Sequence, residues 1–219
     1  MNWRLLPCGE RAVLVELGDL AEVLALAAAV QMLSGQQDGP WSAVVDTVPA
    51  TRTLLITVRH RDALDALEAA LPSVLTAVAF AGPRGAERQR PGETMTIHVR
   101  YDGPDLDEVS ALTGLTPREV VAAHTGRPWR VGFVGFAPGF AYLVGGDRRL
   151  EVPRRASPRT LVPPGSVGLA STYSAVYPRE SPGGWQLIGR TDTVLWDSGQ
   201  EPPALLSPGA WVQFVAVEG

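Results

Sequence analysis

The chain has 219 residues, of which 45% are hydrophobic, enough for one large or two small domains with buried cores. Its net charge of −4 argues against a nucleic-acid-binding protein, which needs a basic face, and no polybasic run suits an anionic membrane. All 19 basic residues are arginine, which excludes a P-loop lysine, a Schiff base and a biotinylated lysine within this sequence.

Signals for a metal site or a membrane segment are weak. Cys8 is the single cysteine, and the three histidines share no metal-ligand spacing, so we predict no metal site. The first ten residues do not resemble a signal peptide. The most apolar stretch is predicted at residues 20–33, too short to span a bilayer. These features predict a cytoplasmic protein without a membrane partner.

The first eighty residues alternate short predicted strands with predicted helices. β-branched and apolar runs predict strands, and alanine- and leucine-rich runs predict helices, at residues 12–17 (strand), 20–33 (helix), 43–48 and 53–58 (strands) and 61–70 (helix, ending near Pro72). This order is one strand short of the split βαβ pattern, and residues 94–99 could supply that strand. We predict a small α/β sandwich over residues 1–80, with its helices on one face.

The composition changes after this domain. Residues 81–93 (AGPRGAERQRPGE) are rich in glycine, proline and charge and form the predicted linker. Residues 94–219 then form a predicted cyclophilin-like β-barrel with two short helices at its start, because short apolar segments alternate there with glycine and proline turns. The whole chain is therefore predicted to be α+β.

The second short helix of this domain has clear start and stop signals. Thr116 is the predicted N-cap, Glu119 closes a capping box, and Gly126 stands where the helix stops. His124 lies in its last turn, where the helix dipole favours a protonated imidazole. We interpret His124 first as a capping residue and second as a candidate substrate ligand.

The candidate binding site lies in the segment rich in glycine, proline, arginine and aromatic residues between residues 132 and 190. Arg154 and Arg159 each follow a proline, which would help to aim the two guanidinium groups at a carboxylate or phosphate. Two solvated surface arginines explain the same pattern equally well. Ser166, in a PPGSVG turn, offers a hydroxyl, but the flanks of a nucleophile elbow are absent.

Aromatic residues beside turns predict the wall of this pocket, although core packing is the more frequent role of such residues. The candidate wall residues are Phe136, Pro138, Gly139, Phe140, Tyr142 and Trp185. Tyr177 lies in a segment that could act as a lid or a partner-docking loop. From the residues alone, this reasoning ends at an arginine-lined pocket for a small anion, and no catalytic residue is identified.

Three segments closely resemble the KipI / allophanate hydrolase subunit 1 family, whose domains are also called carboxyltransferase subdomains C and D. They are GFAPGFAYL, PRRASPRTLVPPGSVGLA and YPRESPGGWQLIGRT, and the two ends of the chain, LPCGERAVLVELGD and PPALLSPGAWVQFV, are also similar. The resemblance implies an N-terminal α/β domain followed by a cyclophilin-like barrel. It also implies the B subunit of an ATP-dependent 5-oxoprolinase, which opens 5-oxoproline to glutamate together with the A and C subunits.

The resemblance implies further properties. The substrate would be a small carboxylate bound by Arg154, Arg159 and Arg190, with Tyr177 and Ser166 orienting it. ATP and Mg²⁺ would act at the level of the complex. The partners would be the C subunit of the 5-oxoprolinase, which is allophanate hydrolase subunit 2-like, and the A subunit. Two other activities in the family remain alternatives: inhibition of a sensor histidine kinase, and the carboxyltransferase step of a urea-degrading system.

The sequence departs from the family in one place. Family members often have GIAGGQTGIYP where this chain has GLASTYSAVYP, so bulkier side chains occupy residues 171–175 and a glutamine amide is lost. If that glutamine contacts the substrate in relatives, this chain has a different substrate or a changed partner surface.

Overall fold

A computed structural model of the chain describes residues 2–36, 38–81 and 94–218. The chain divides into two compact units, residues 1–92 and 93–219. Both units combine helices with sheets, which confirms the predicted α+β class. The predicted linker over residues 81–93 lies outside the described residues, except for the backbone of Ala81 at the end of a helix.

The first unit is a four-stranded antiparallel sheet with two α-helices. Its elements are β1 (Arg4–Pro7), β2 (Ala12–Glu16), α1 (Leu20–Ser34), a 3-10 helix (Pro40–Ala43), β3 (Val44–Pro49), β4 (Thr53–Val58) and α2 (Asp62–Ala81). The strand order is β1-β2-β4-β3, so β4 lies between the mutually parallel β2 and β3. This is the split βαβ arrangement that the element order predicts.

One strand of this sheet differs from the prediction. The fourth strand is β1, which pairs with β2 through the register Leu5 with Val15, whereas residues 94–99 belong to the second unit. The pattern of residues 4–7 is short and ends in a proline, so it carries little strand signal of its own. These residues form a strand because they pair with β2, and not because of their own strand propensity.

Helix α2 is longer than predicted, because it continues through Pro72. Leu67, Leu71 and Leu75 are fully buried and lie on the face of α2 that packs into the core of the first unit. Their burial on both sides of Pro72 offsets the hydrogen bond that the proline removes. The Thr76 hydroxyl also donates to the Pro72 carbonyl at 2.8 Å.

The longer helix bears on the prediction that the most apolar stretch is too short to span a bilayer. Asp62–Phe80 is one helix that is long and apolar enough to cross a membrane by length and composition alone, with a mean hydropathy of 1.5. The predicted apolar stretch at residues 20–33 lies in α1, a shorter apolar helix of 15 residues. In helix α2, three leucines pack into the core of the first unit, and the acidic residues Asp62, Asp65 and Glu68 lie near its start.

The second unit is a nearly closed barrel. It contains β5 (Met95–Val99), α3 (Leu106–Thr113), α4 (Pro117–Thr125), β6 (Trp129–Val134), β7 (Ala141–Val144), a 3-10 helix (Arg148–Leu150), β8 (Arg159–Val162), β9 (Ser166–Ala170), β10 (Tyr173–Val176), β11 (Ser181–Gly183), β12 (Gln186–Arg190) and β13 (Trp211–Ala216). The seven-stranded order is β12-β9-β10-β7-β6-β13-β5, and β8 and β11 form a separate ribbon. Only β5 and β13 pair in parallel among these described strands.

The two edge strands, β5 and β12, meet and close the barrel along a seam, which we define as residues 100–105 and 187–192. Arg100 and Arg190 exchange both backbone hydrogen bonds, at 2.9 and 2.8 Å. The N–H of Gly103 then donates to Ile188, and that of Asp105 to Leu187. A Cβ at Gly103 would overlap the backbone of Ile188, so glycine permits this close approach.

Two crossed ion pairs flank the seam. Arg100 pairs with Asp192 at 3.1 Å, and Arg190 pairs with Asp102 at 2.7 Å. The two arginines face each other across the seam, where like charges repel. The two aspartates, each two residues further along, compensate that repulsion.

The helix signals of the second unit are confirmed. Thr116 caps α4, its hydroxyl accepts the Glu119 N–H, and the Glu119 carboxylate accepts the Thr116 N–H at 2.8 Å. The helix ends at Thr125, directly before Gly126. Helix α3 covers Leu106–Thr113.

His124 lies in the barrel core and not at a solvated helix end. Its side chain is fully buried and stacks on Phe214, with ring centroids 4.3 Å apart. Its Nδ1 lies 2.7 Å from the Tyr101 hydroxyl, and its Nε2 lies 2.8 Å from the Ser174 hydroxyl. Burial lowers the pKa of His124 to about 3, so the expectation of a protonated imidazole is wrong. Desolvation outweighs the helix dipole here.

The β9–β10 hairpin explains part of the departure from the family motif. Ala170 pairs with Tyr173, so Ser171 and Thr172 form a two-residue turn. Ser171 has a φ of 51°, a left-handed conformation that glycine adopts without strain. Its backbone exchanges two hydrogen bonds with Val152, which hold the turn in place. The glycine of the family motif therefore fits the backbone at this position better than serine does.

Acidification should destabilise the second unit through His124. The folded-state pKa of about 3 lies below the unfolded value of 6.5, so this stabilisation is present above pH 6.5 and is lost as the pH falls. We expect the free energy of unfolding to fall by up to about 1 kcal/mol per pH unit between pH 6.5 and 5. Urea unfolding followed by tryptophan fluorescence measures this slope. His124→Asn should flatten it, and the control variant His98→Gln should not; equal slopes in wild type and His124→Asn would contradict the assignment.

Ser171→Gly should raise the free energy of unfolding by about 0.5–1 kcal/mol. Relief of left-handed strain, about 1–2 kcal/mol, exceeds the extra chain entropy that glycine loses, about 0.5–1 kcal/mol. Gly145→Ala is the matched reverse change, because Gly145 has a φ of 83° and open space around it. Urea unfolding should show opposite shifts for the two variants, and a destabilised Ser171→Gly protein would show that the serine side chain stabilises the turn.

Candidate functional site

Seven aromatic side chains gather on the outer face of the barrel. We call this set the aromatic cluster: Phe133, Phe136, Phe140, Tyr142, Tyr173, Tyr177 and Trp185. Phe140 lies at its centre, 5.3 Å from Tyr177 and 5.6 Å from Trp185 between ring centroids, with edge-to-face geometry. Such pairs add rigidity beyond simple burial, so the cluster forms a firm apolar floor.

Small residues in the neighbouring strands make room for these rings. A Cβ at Gly183 would overlap the hydroxyl of Tyr177, and a Cβ at Gly168 would lie 3.2 Å from the Cβ of Trp185. Ala175 is fully buried among the same rings. Glycine and alanine are therefore needed here for the close approach of backbone and ring, which explains the glycine content of the sequence motif.

Phe136 is the exposed member of the cluster. Its side chain is 58% exposed although its ring contacts Phe140 and Tyr177, and its φ is 68°. A bulky residue in this backbone region is strained, and such strain is concentrated at binding sites. Phe136, with Pro138 and Gly139, also lines an apolar cleft of about 400 Å³ that Trp196 and Leu206 close on the other side.

Tyrosine hydroxyls and the Arg154 guanidinium form the polar part of the site. Burial raises the pKa values of Tyr142 and Tyr177, and the charge of Arg154 acts on both phenols in the opposite direction. Both phenols are therefore neutral hydrogen-bonding groups. Within residues 2–36, 38–81 and 94–218, Arg154 has no hydrogen bond or ion pair, so its guanidinium is available to a ligand.

Arg155 and Arg159, the next two arginines after Arg154, both bind the carboxylate of Asp105. We call residues 153–159 the arginine loop. Arg155 Nη1 donates to Asp105 Oδ1 at 2.5 Å, and Arg159 Nη2 donates to the same oxygen at 2.7 Å. The other oxygen, Oδ2, accepts the Leu187 N–H at 2.7 Å. Burial alone would raise the pKa of Asp105, but these hydrogen bonds and the two guanidinium charges lower it below its usual value.

Sequence-predicted site residues are only partly brought together. Arg154, Tyr177 and the wall residues Phe136, Phe140, Tyr142 and Trp185 meet at the aromatic cluster, and Arg159 lies beside it. Arg190 is at the other end of β12, about 13 Å along the strand from Gln186, and pairs with Asp102 at the seam. The Ser166 hydroxyl donates to the Pro163 carbonyl within its turn, at 2.7 Å. His124 lies inside the barrel.

The site also includes residues that are not among the sequence-predicted ones, such as Tyr173, Arg155 and Asp105. Tyr173, Ala175 and Tyr177 follow the two-residue period of a strand, which places them on one face and could have identified Tyr173. Tyr173 stands where the family motif has glutamine, and its ring lies 5.8 Å from that of Tyr142. No local signal marks Asp105, because its arginine partners lie 50 and 54 residues away.

This arrangement suits a small, flat molecule with one negative charge. A free guanidinium can accept a carboxylate in a two-pronged contact, the neutral phenols can donate or accept, and the rings provide an apolar surface. No group of three or more histidine, cysteine, aspartate or glutamate side chains suited to a metal ion occurs in the described part of the chain. The described side chains include no paired nucleophile and base at this face, so its evident chemistry is binding.

Comparison with known sequences identifies relatives over most of the chain. The family model described as carboxyltransferase domain, subdomain C and D, matches residues 3–206. The B subunit of 5-oxoprolinase from Bacillus subtilis is 47% identical over 52% of this chain and 48% of its own length. The B subunit from Escherichia coli O157:H7 is 39% identical over 78% of each chain, and that from Haemophilus influenzae is 44% identical over 58% of this chain and 61% of its own.

Solved structures share the fold. The crystal structure of TTHA0988 is 33% identical, with a TM-score of 0.73 over 95% of this chain and 40% of that chain. An uncharacterized protein from Pyrococcus horikoshii, PH0987, is 33% identical, with a TM-score of 0.56 over 98% of both chains. The Kluyveromyces lactis urea carboxylase, at 18% identity and a TM-score of 0.67, supports the fold alone.

These matches confirm the family resemblance that the glycine- and proline-rich motifs indicate. The family model covers both units described above, and a relative that is 39% identical over the aligned region spans 78% of the chain. The chain therefore belongs to the carboxyltransferase domain, subdomain C and D, family.

Proposed function

We propose that the chain is the B subunit of an ATP-dependent 5-oxoprolinase, which acts with the A and C subunits to convert 5-oxoproline to glutamate. Three relatives that are 39–47% identical are named as B subunits of 5-oxoprolinase, although the match spans only about half of the first of them. The observation that carries the proposal is the Arg154 guanidinium, which has no ion pair or hydrogen bond among the described residues and whose charge acts on the phenols of Tyr142 and Tyr177.

The site fits 5-oxoproline by its chemistry. In this proposal the carboxylate of the substrate contacts Arg154, and its small lactam ring packs on the accessible rings of Phe136 and Tyr142, which rest on the buried rings of Phe140 and Trp185. The hydroxyl of the half-buried Tyr142 orients the lactam amide by a hydrogen bond, whereas Tyr177 is 1% exposed and packs within the cluster. Arg155 and Arg159 hold the arginine loop through Asp105 and do not contact the substrate.

We propose that the chain is inactive alone and acts in the cytoplasm as part of a complex. The matched region makes up 40% of TTHA0988 and 22% of the urea carboxylase, so in those proteins it is joined to further segments of the same chain. The A and C subunits would supply the corresponding parts here. ATP and Mg²⁺ are assigned to the complex, since this sequence contains no lysine for a P-loop.

A carboxyltransferase role in a urea-degrading system is the second candidate. The observation that favours it is the local similarity to the urea amidolyase of Lachancea kluyveri, 42% identical over 27% of this chain and 4% of that protein.

The first test is reconstitution. We expect this chain, mixed with its A and C partners, to catalyse ATP hydrolysis that depends on 5-oxoproline and releases glutamate. Omission of any one of the three proteins should abolish the activity. The release of phosphate and of glutamate is measured for the full mixture and for each mixture that lacks one protein. Activity in the absence of this chain, or none in a mixture shown by size-exclusion chromatography to assemble, would reject the proposal, and urea would then be tested.

A second test compares arginines within that complex. Arg154→Gln should lower kcat/KM for 5-oxoproline by about 10- to 100-fold, because a hydrogen bond to a charged group contributes about 1.5–3 kcal/mol. Arg149→Gln, which removes an exposed arginine paired with Asp147, is the control and should change kcat/KM less than threefold. A larger loss in Arg190→Gln than in Arg154→Gln would contradict this assignment and place the ligand at the seam.

A further inference from the structure

Asp105 is a buried carboxylate that the proposed binding chemistry does not use. Its side chain is 3% exposed, and its Oδ1 accepts hydrogen bonds from both Arg155 and Arg159. Its main-chain N–H donates to the Leu187 carbonyl, and its Oδ2 accepts the Leu187 N–H. Asp105 thus connects the seam of the barrel with the arginine loop.

The electrostatics of this contact hold it together. A buried carboxylate is costly unless it is paired and hydrogen-bonded, and Asp105 has two guanidinium partners and a backbone donor. The Nε of Arg155 and the Nη1 of Arg159 are buried without a hydrogen-bond partner among the described residues, so each guanidinium is held through its bond to Asp105. Asp105 is therefore the side chain that fixes the direction of both guanidinium groups.

Fixing Arg155 restricts its neighbour Arg154. The backbone N–H of Arg155 donates to the Gly184 carbonyl at 2.8 Å, while its side chain is held by Asp105. Gly184 adjoins Trp185, whose ring belongs to the aromatic cluster. With Arg155 held at both ends, the main chain at residue 154 is held next to the segment that carries Trp185.

We propose that Asp105 is a positioning residue for Arg154: by holding Arg155 and Arg159, it keeps the arginine loop where Arg154 can meet the carboxylate of the substrate. The proposal rests on the proposed function. It predicts that the loss of the Asp105 charge weakens substrate binding more than it slows turnover, because Asp105 itself does not contact the substrate.

Asp105→Asn tests this prediction with little change in shape, because the amide oxygen can still accept the Leu187 N–H. In the complete complex we expect the KM for 5-oxoproline to rise about tenfold or more, with kcat within about twofold of wild type. Asp102→Asn is the matched control, since Asp102 is a seam aspartate paired with an arginine outside the loop. Its KM should change less than twofold, and a fall in kcat with an unchanged KM in Asp105→Asn would overturn the proposal.

Limited proteolysis of the isolated chain gives a second readout that needs no enzymatic activity. Trypsin cleaves after arginine, and a released loop offers Arg154, Arg155 and Arg159. We expect Asp105→Asn to be cut in the arginine loop at least tenfold faster than wild type and Asp102→Asn to be cut at the wild-type rate, with sites identified by mass spectrometry. Cleavage of Asp105→Asn at the wild-type rate overturns the proposal, whatever the enzymatic activity of that variant. Faster cleavage, with no oxoprolinase activity in an assembled wild-type complex, rejects the proposed function only.

If Asp105→Asn does not fold, Arg155→Gln removes the ion pair with Asp105 by a change in the other partner. The Arg155 side chain is 32% exposed, so its replacement disturbs the buried interior less. A cooperative thermal transition by circular dichroism is the criterion for folding. We expect the same direction of change in KM and in cleavage after Arg154 and Arg159, with a smaller size because Arg159 still pairs with Asp105. No change in either quantity overturns the proposal.

Discussion

The second unit depends on the closure of its seven-stranded sheet. An open sheet of this size would leave β5 and β12 with unpaired backbone groups, and the hydrogen bonds between Arg100 and Arg190 remove that problem. Gly103 and Gly189 allow this contact, since a side chain at either position would overlap the opposite backbone. Closure encloses the apolar interior and gives the outer face a fixed curvature.

The candidate site is built on that outer face. Strands β7, β9, β10 and β12 each contribute residues to it. Successive residues of a strand point to opposite faces, so each of these strands also contributes side chains to the barrel core. In β10, Ser174 meets His124 inside while Tyr173 joins the aromatic cluster outside. Asp105 links the seam to the site, because it hydrogen-bonds Leu187 in the seam and both Arg155 and Arg159 in the arginine loop.

Local patterns were sufficient for much of the fold. The capping box of Thr116 and Glu119 spans four residues, and the strand over Thr53–Val58 has a clear β-branched pattern, so both follow from the sequence. Each of these features depends on residues close together in the chain, where spacing and side-chain type determine the structure.

Features that depend on distant residues were not predictable in this way. The charge of Arg190 suited a substrate, but its partner Asp102 lies 88 residues earlier in the chain and only the closed barrel brings them together. His124 carried a helix-end signal, and its burial against Phe214 reversed the expected protonation. Helix α2 passes Pro72 because leucines on both sides reach the core. Tertiary burial overrides local propensity in each case.

The seam also has a consequence for how the chain folds. Its ion pairs join residues 92 and 88 positions apart, and β5 pairs in parallel with β13 from the other end of the unit. Contacts between such distant segments form slowly, because a long loop must close before they contribute any stability. Seam formation is therefore expected to be a late event, and until it occurs the edges of β5 and β12 can pair with strands of other molecules. The two glycines that permit closure thus limit the time during which a newly made chain is prone to aggregate.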